Sequence, residues 1–340
     1  MTAGILGHNE TLESLQMIRK SLLAAVSSIA LLGASLVPSY ADPKGKDAEV
    51  TIFVSPLTFA FSHFVFLTDQ LEDEAGKIGG VKILKADGQL SAPKQIADIE
   101  AAIVQGVDGI VLAPADADAL APVVKGAIAA GITVVTVDRP VNGVPEVLAN
   151  VAADNFKGAE AQGEAVVKLF PEGATIVNLQ GIPGDKTAND RNGGAHKVLD
   201  AAGPKYKFLA EQAANFSRDK GLSVTENILT GLSEAPQVII AGNDDMALGA
   251  AQAVEARDLK GKVKIFGYDG SEDALTAVQN GSLAGTVDQF PGQQGRVAVR
   301  TLVDFIREGK KPETSNILVA PIAITKDNLD QAERVGLIKK

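Results

Sequence analysis

Short β-branched runs alternate with stretches of helical character from Val50 to Val287, and no other feature narrows the possible folds as much. Short continuous apolar runs read as strands buried on both faces, as parallel strands are, and parallel neighbours need a crossover between them. The pattern predicts strands over Val50–Val54, Val81–Lys85, Gly109–Ala113, Ile132–Val137 and Glu146–Val151. A second series follows at Thr175–Leu179, Lys207–Glu211, Val238–Ala241, Val263–Phe266 and Leu283–Val287. Helices are expected between them, among others at His63–Lys77, Pro93–Gln105, Ala117–Ala130, Asn155–Leu169 (with Asp154 as its cap), Ser271–Asn280 and Gly292–Glu308. An apolar run, Ile317–Ile324, comes last. Two such series predict an α/β protein of two doubly wound, Rossmann-like parallel-sheet lobes. The length of 340 residues suits two cores better than one. We expect residues 48–153 plus 290–318 in the N-terminal lobe and 154–289 plus 319–340 in the C-terminal lobe. No long linker separates the series, so several short crossings should form the hinge.

Four of the runs end on polar residues suited to gripping hydroxyl groups. Ile132–Val137 stops at Asp138-Arg139, Gln237–Gly242 at Asn243-Asp244, Val263–Tyr268 at Asp269, and Leu283–Asp288 at Gln289. In open α/β sheets, ligands bind outside the carboxyl ends of the strands. Of these, Asp138, Arg139, Asn243, Asp269 and Gln289 together describe a site for a small, neutral, hydroxyl-rich molecule. Helix capping alone would account for Asn243 or Asp154. It does not account for Arg139 or Gln289.

Other chemistries find little support. A formal net charge of -10 argues against a nucleic-acid partner and is better read as favouring solubility. With no Cys there are no disulfides or thiolate metal sites, and with no Trp and few Tyr, stacking on a ligand falls mainly to the 12 Phe. Gly181–Thr187 imitates a phosphate loop, but Asp185 stands where the Lys is needed. Asp185–His196 imitates a calcium loop, but Asp190 occupies the position that needs Gly. His8, His63 and His196 show no metal-ligand spacing, and no G-x-S-x-G nucleophile motif occurs. The expectation is a binding protein with no metal and no cofactor. Asp138 with Asp269 is the one pairing from which an enzyme could be argued.

The N-terminus carries an export address. Met17-Ile18-Arg19-Lys20 is a basic start, Ser21–Val37 an apolar stretch, and Pro38-Ser39-Tyr40-Ala41 supplies small residues for cleavage after Ala41. Residues 17–41 are therefore expected to be a signal peptide leading to a periplasm, and residues 1–16 an upstream extension before the start at Met17. The stretch is short, rich in Ala and Ser, and ends in Pro, which fits a signal better than a membrane anchor. Loss of residues 1–41 removes Glu10, Glu13, Arg19 and Lys20, leaving the net charge unchanged.

Across nearly the whole mature chain the sequence resembles the periplasmic sugar-binding proteins of the ribose- and galactose-binding type. The resemblance rests on Thr136-Val137-Asp138-Arg139, Ala152-Ala153-Asp154-Asn155, Asn243–Ala250, Phe266–Gly270 and Thr286-Val287-Asp288-Gln289. It implies the type I periplasmic binding protein fold and a sugar held in the inter-lobe cleft. It also implies hinge closure, delivery to an ABC transporter permease, and a monomer. It places His63 and Phe64 where the family carries two aromatic rings, Phe216 at the third aromatic, and Ser55 at a polar position after the first strand. Phe61 falls where ribose binders use Asn, and Asn189 where they carry a ligand-binding Arg. Arg191 matches a neighbouring, structural Arg. These departures at Phe61, His63 and Asn189 set the chain apart from ribose binders and leave the class intact. The ligand is expected to be a pentose, hexose or deoxysugar, with a sugar alcohol or sugar-like signal as the alternative.

Two other roles share this core. A sugar-responsive repressor would need an N-terminal helix-turn-helix, where residues 1–48 offer an export signal. A receptor passing its signal to a chemoreceptor or sensor kinase is compatible with the same residues and can coexist with import.

Overall fold

The computed structural model describes residues 42–338. The expected upstream extension (1–16) and signal peptide (17–41) lie outside the described residues. Among the described residues, twelve strands form two six-stranded sheets. The first is built from β1 (Val50–Ser55), β2 (Val81–Lys85), β3 (Gly109–Leu112), β4 (Thr133–Val137), β5 (Ala149–Ala153) and β11 (Asn316–Val319), in the order β11-β5-β4-β3-β1-β2. The second uses β6 (Ala174–Gln180), β7 (Tyr206–Ala213), β8 (Val238–Ala241), β9 (Lys264–Phe266), β10 (Gly285–Asp288) and β12 (Ile322–Thr325), in the order β12-β10-β9-β8-β6-β7. Every pairing is parallel except β10 with β12.

The helices are α1 (Ser62–Ile78), α2 (Ala92–Gln105), α3 (Ala121–Ala129), α4 (Asn155–Leu169), α5 (Lys186–Ala201), α6 (Arg218–Gly231), α7 (Asp244–Glu255), α8 (Glu272–Asn280) and α9 (Pro291–Glu308). The period-two alternation of the strands sorts their side chains onto the two layers. On β1, Ile52 and Val54 pack with Leu67 and Leu71 of α1 and Val299 and Leu302 of α9, while Phe53 turns to Ile99 of α2 and Val124 of α3. On the second sheet, Val177 and Ile239 face α6, α7 and α8, while Ile176 and Ile240 face α4 and α5. These strands read as continuous apolar runs because both of their faces are covered.

Three expected elements differ by more than two residues or divide, each for a local reason. The helix placed at Ala117 starts at Ala121, because Asp116 Oδ1 accepts from the N–H groups of Asp118 and Ala119 and holds those residues in a turn. The strand placed at Glu146 starts at Ala149, since Pro145 sits in a Val144–Val147 turn closed by the Val147 N–H to the Val144 carbonyl. The apolar run Ile317–Ile324 divides at Ala320-Pro321 into β11 and β12, which belong to different sheets. Proline has no N–H to donate to a ladder, so it suits a crossing. The chain also passes between sheets at Asp154 and at Gln289-Phe290.

Candidate functional site

Five helices of the second half begin at the carboxyl edge of its sheet with a side-chain cap. Asp154, Asp185, Ser217, Asn243 and Ser271 accept from the N–H groups of Lys157, Ala188, Lys220, Met246 and Ala274 respectively. Asp154 caps α4 as the sequence predicts. Asn243 does two things at once. Its Oδ1 caps α7 at 3.0 Å, and its Nδ2 reaches the Phe216 carbonyl at 3.3 Å beside a cavity.

That cavity has a volume of about 230 Å³ and is bounded by residues that follow strands of both sheets. Nine of the expected site residues line it: Phe61, His63, Phe64, Asp138, Arg139, Phe216, Asn243, Asp269 and Gln289. Three of them, Asp138 (φ 66°), Phe216 (57°) and Asp269 (128°), have positive φ without being glycine. Such strain persists only where the surroundings over-determine it, and it gathers at functional sites. Phe216 has room for its ring because residue 181 is glycine, where a Cβ would stand 2.2 Å from Phe216 Cζ.

On the wall after β4, Arg139 Nε donates to Asp138 Oδ2 at 3.0 Å, and His63 Nε2 lies 3.5 Å from Asp138 Oδ1. Burial alone would push the Asp138 carboxyl up, but Arg139 and His63 outweigh it and hold it well below the usual carboxylate range. Arg139 Nη1 also faces Asp185, at 3.7 Å.

On the wall after β8, β9 and β10, Arg191 is the anchor. Its Nε donates to Asn155 Oδ1 (2.9 Å) and its Nη1 to the Gly242 carbonyl (2.7 Å) and Asp269 Oδ1 (3.1 Å). The guanidinium lies over the Tyr268 ring, 3.8 Å from its centroid. Gln289 Nε2 donates to the same Asp269 oxygen at 2.8 Å. Behind it, Asp244 takes the Thr286 hydroxyl (2.6 Å) and the Ser271 N–H (2.7 Å). Burial, and then the Asp269 carboxylate, push Asp244 up to about 8. Asp269 is raised as well, by burial, which Arg191 offsets only in part.

Two expected site residues are not brought to the cavity. Ser55 is fully buried and its Oγ accepts from Gln95 Nε2 at 3.1 Å, so the residue ties β1 to α2. Asn189 is exposed on α5. The Asp185 cap and the tethered Arg191 set that helix's phase, and Thr187 and Arg191, four residues apart, face the cavity instead. The sequence reading of Arg191 as structural captures its bonds and misses its place on the cavity wall. It also missed Arg334, which reaches the cavity from the segment after β12. Nothing local to Glu333-Arg334-Val335 signals such a role.

Residues 52–311 match the family model described as periplasmic binding protein domain. The chain is 36% identical over 309 residues to the ribose import binding protein of Bacillus subtilis (strain 168), covering 89% of this chain and 97% of that one. It is 29% identical over 312 residues to the xylitol-binding protein of Mycolicibacterium smegmatis, covering 92% and 88%. Among solved structures, the Caulobacter myo-inositol binding protein bound to myo-inositol superimposes with a TM-score of 0.78 at 39% identity, over 87% of this chain and 99% of that one.

Proposed function

The chain belongs to the periplasmic binding protein family, and from that premise we propose that it captures one neutral, hydroxyl-rich ring, a monosaccharide or close polyol, for ABC import. The observation that carries this reading is the convergence of Asp138-Arg139 from one sheet and Asn243, Asp269 and Gln289 from the other on one small cavity. Its 230 Å³ falls below the roughly 300–1,000 Å³ of drug-sized ligand sites, which suits a single ring rather than an oligosaccharide. Carboxylates accept from hydroxyls and guanidiniums donate to them, each such bond contributing about 1.5–3 kcal/mol. Phe64 and Phe216 cover the apolar faces of the ring. Phe61 and His63 shape which hydroxyls fit. Carboxyl groups outnumber guanidiniums along the lining, which disfavours an anionic ligand.

In this reading, 48–153 plus 290–318 and 154–289 plus 319–340 move as two lobes about the crossings, and ligand favours the closed state. A permease then receives the closed form. The protein works as an exported monomer without catalysis, and presentation of the same closed form to a chemoreceptor or sensor kinase is compatible with it. The relatives named for ribose, xylitol and myo-inositol bracket the ligand class. Thermal-shift screening of residues 42–340 against D-ribose, D-allose, myo-inositol, xylitol and D-glucuronate tests this. Stabilisation by at least one neutral compound, and less by glucuronate, is expected. A preference for the acid over every neutral compound would overturn it.

A further inference from the structure

Arg334 is 1% exposed and lines the ligand cavity, yet its Nε and Nη1 have no hydrogen-bond partner. Only Nη2 is engaged, at 2.5 Å from the Asp269 carbonyl. The guanidinium lies over the Phe66 ring of α1, 5.4 Å from its centroid. Its position is held by its neighbours. Glu333 takes its N–H to Asp288 Oδ2 (2.7 Å), receives the Gly292 N–H on Oε2 (2.8 Å), and pairs with Arg296 (2.6 Å). Ala332 and Val335 pack with Ile324 and Leu275 beneath. A buried guanidinium with two idle donor nitrogens is costly unless something meets them.

We propose that Arg334 is a ligand-binding residue, the contribution of the C-terminal segment to the site, and that it demands a ligand oxygen at the position it faces. This rests on the reading of the cavity as a sugar or polyol site. Arg has donors and no acceptor, so a ring carbon without oxygen would strand it. His63, on α1, presents the same need from a different element. Both of its ring nitrogens are buried without a hydrogen-bond partner, and Asp138 Oδ1 lies 3.5 Å from Nε2. Unmet polar groups on two elements around one cavity select a ring that carries an oxygen at each of the positions they face. The preferred ligand is therefore a ring with an oxygen at each of those positions, and deoxysugars lacking one of them are discriminated against.

The test is calorimetry with whichever of D-ribose, D-allose and myo-inositol binds wild type best, together with its monodeoxy analogues. In wild type, at least one deoxy analogue should bind ten-fold or more weakly than the parent (about a ten-fold step or larger for a lost charged hydrogen bond). Arg334→Met should lose about 10- to 100-fold for the parent and bind that one analogue nearly as well as the parent. A structural role would instead weaken every compound alike. Arg334→Lys keeps the positive charge beside Asp269, and it should fold even if the Met variant does not. Its loss should again be concentrated on the parent rather than on that analogue. Parental affinity in both variants, equal losses for all compounds, or a wild type indifferent to every deoxygenation would overturn the assignment. Failure of wild type to bind any of the three parents would overturn the sugar reading itself, and this inference with it.

Discussion

The two walls of the cavity use the same residue type in opposite electrostatic settings. After β4, Asp138 sits between Arg139 and His63 and stays ionised. After β8 and β9, two carboxyls, Asp244 and Asp269, share one buried corner, and among the described residues Arg191 is the one cation hydrogen-bonded to either carboxyl group. Burial raises both, and Asp244, which has Thr286 and Ser271 but no cation, carries the proton up to about 8. Burial is the largest influence on each of the three groups; Arg139 and His63 outweigh it at Asp138, while Arg191, His63 and Arg334 offset it only in part at Asp269, and Asp244 has a second carboxylate beside it in place of a cation. One wall is therefore a fixed charge pair and the other a titrating pair, although both present an aspartate to the ligand.

The largest effect that would separate them comes from Asp269→Ala. It removes a ligand acceptor and takes from Arg191 and Gln289 a shared partner. Binding should weaken by about 2–4 kcal/mol, roughly 30- to 1000-fold, as measured by calorimetry. Unfolding stability should fall less, because Arg191 keeps Asn155 and the Gly242 carbonyl. Wild-type affinity would remove Asp269 from the site.

Asp138→Asn keeps the shape of the other wall and deletes its charge. A loss of about 1–2 kcal/mol in binding, roughly 5- to 30-fold, is expected. That loss should be the same at about pH 6 and about pH 9, since Asp138 does not titrate there. A loss that changes with pH across this range would contradict the fixed-pair description.

Asp244→Asn probes the titrating wall through stability. A carboxyl whose pKa is raised on folding binds its proton more tightly in the native state. The stability this confers is complete below the ordinary carboxylate range and is lost as pH rises through about 8. Wild type should thus be less stable at about pH 9 than at about pH 6, by about 2–3 kcal/mol. An amide imitates the protonated acid, accepting from Ser271 and donating to Thr286, so the variant should lose that slope. Urea unfolding at the two pH values reads it directly. Equal slopes in the two proteins would place the titration elsewhere.

The smallest effect concerns the aromatic face. A methyl at residue 181 would stand 2.2 Å from Phe216 Cζ and push the ring from its place. Gly181→Ala should weaken binding by about 0.5–1.5 kcal/mol, roughly 2- to 10-fold, and leave the pH dependence of both walls unchanged. If affinity is unaffected, Phe216 does not cover the ligand.

Much of this was legible in the chain, and the exceptions have causes. Strand-end residues such as Asp138, Asn243, Asp269 and Gln289 were readable because a parallel strand fixes which end of it carries the site, whatever the exact boundary. Asn189 was not, because on a helix a shift of two residues turns a side chain by about 200°, and the phase of α5 depends on Asp185 and on the distant partners of Arg191. Ser55 follows the strand alternation into the α2 layer, where Gln95 takes its hydroxyl. The raised Asp244 depends on burial and on Asp269, twenty-five residues further along the chain. Arg334 arrives by a return path that starts only after Pro321 breaks the apolar run, and no periodicity announces it.

A crystal structure with the tightest neutral ligand of the screen tests the central claim most directly. One ring should occupy the 230 Å³ cavity, its hydroxyls bonded to Asp138 and Arg139 on one side and to Asn243 and Asp269 on the other. A ligand bonded to one wall only, or seated outside this cavity, would contradict it.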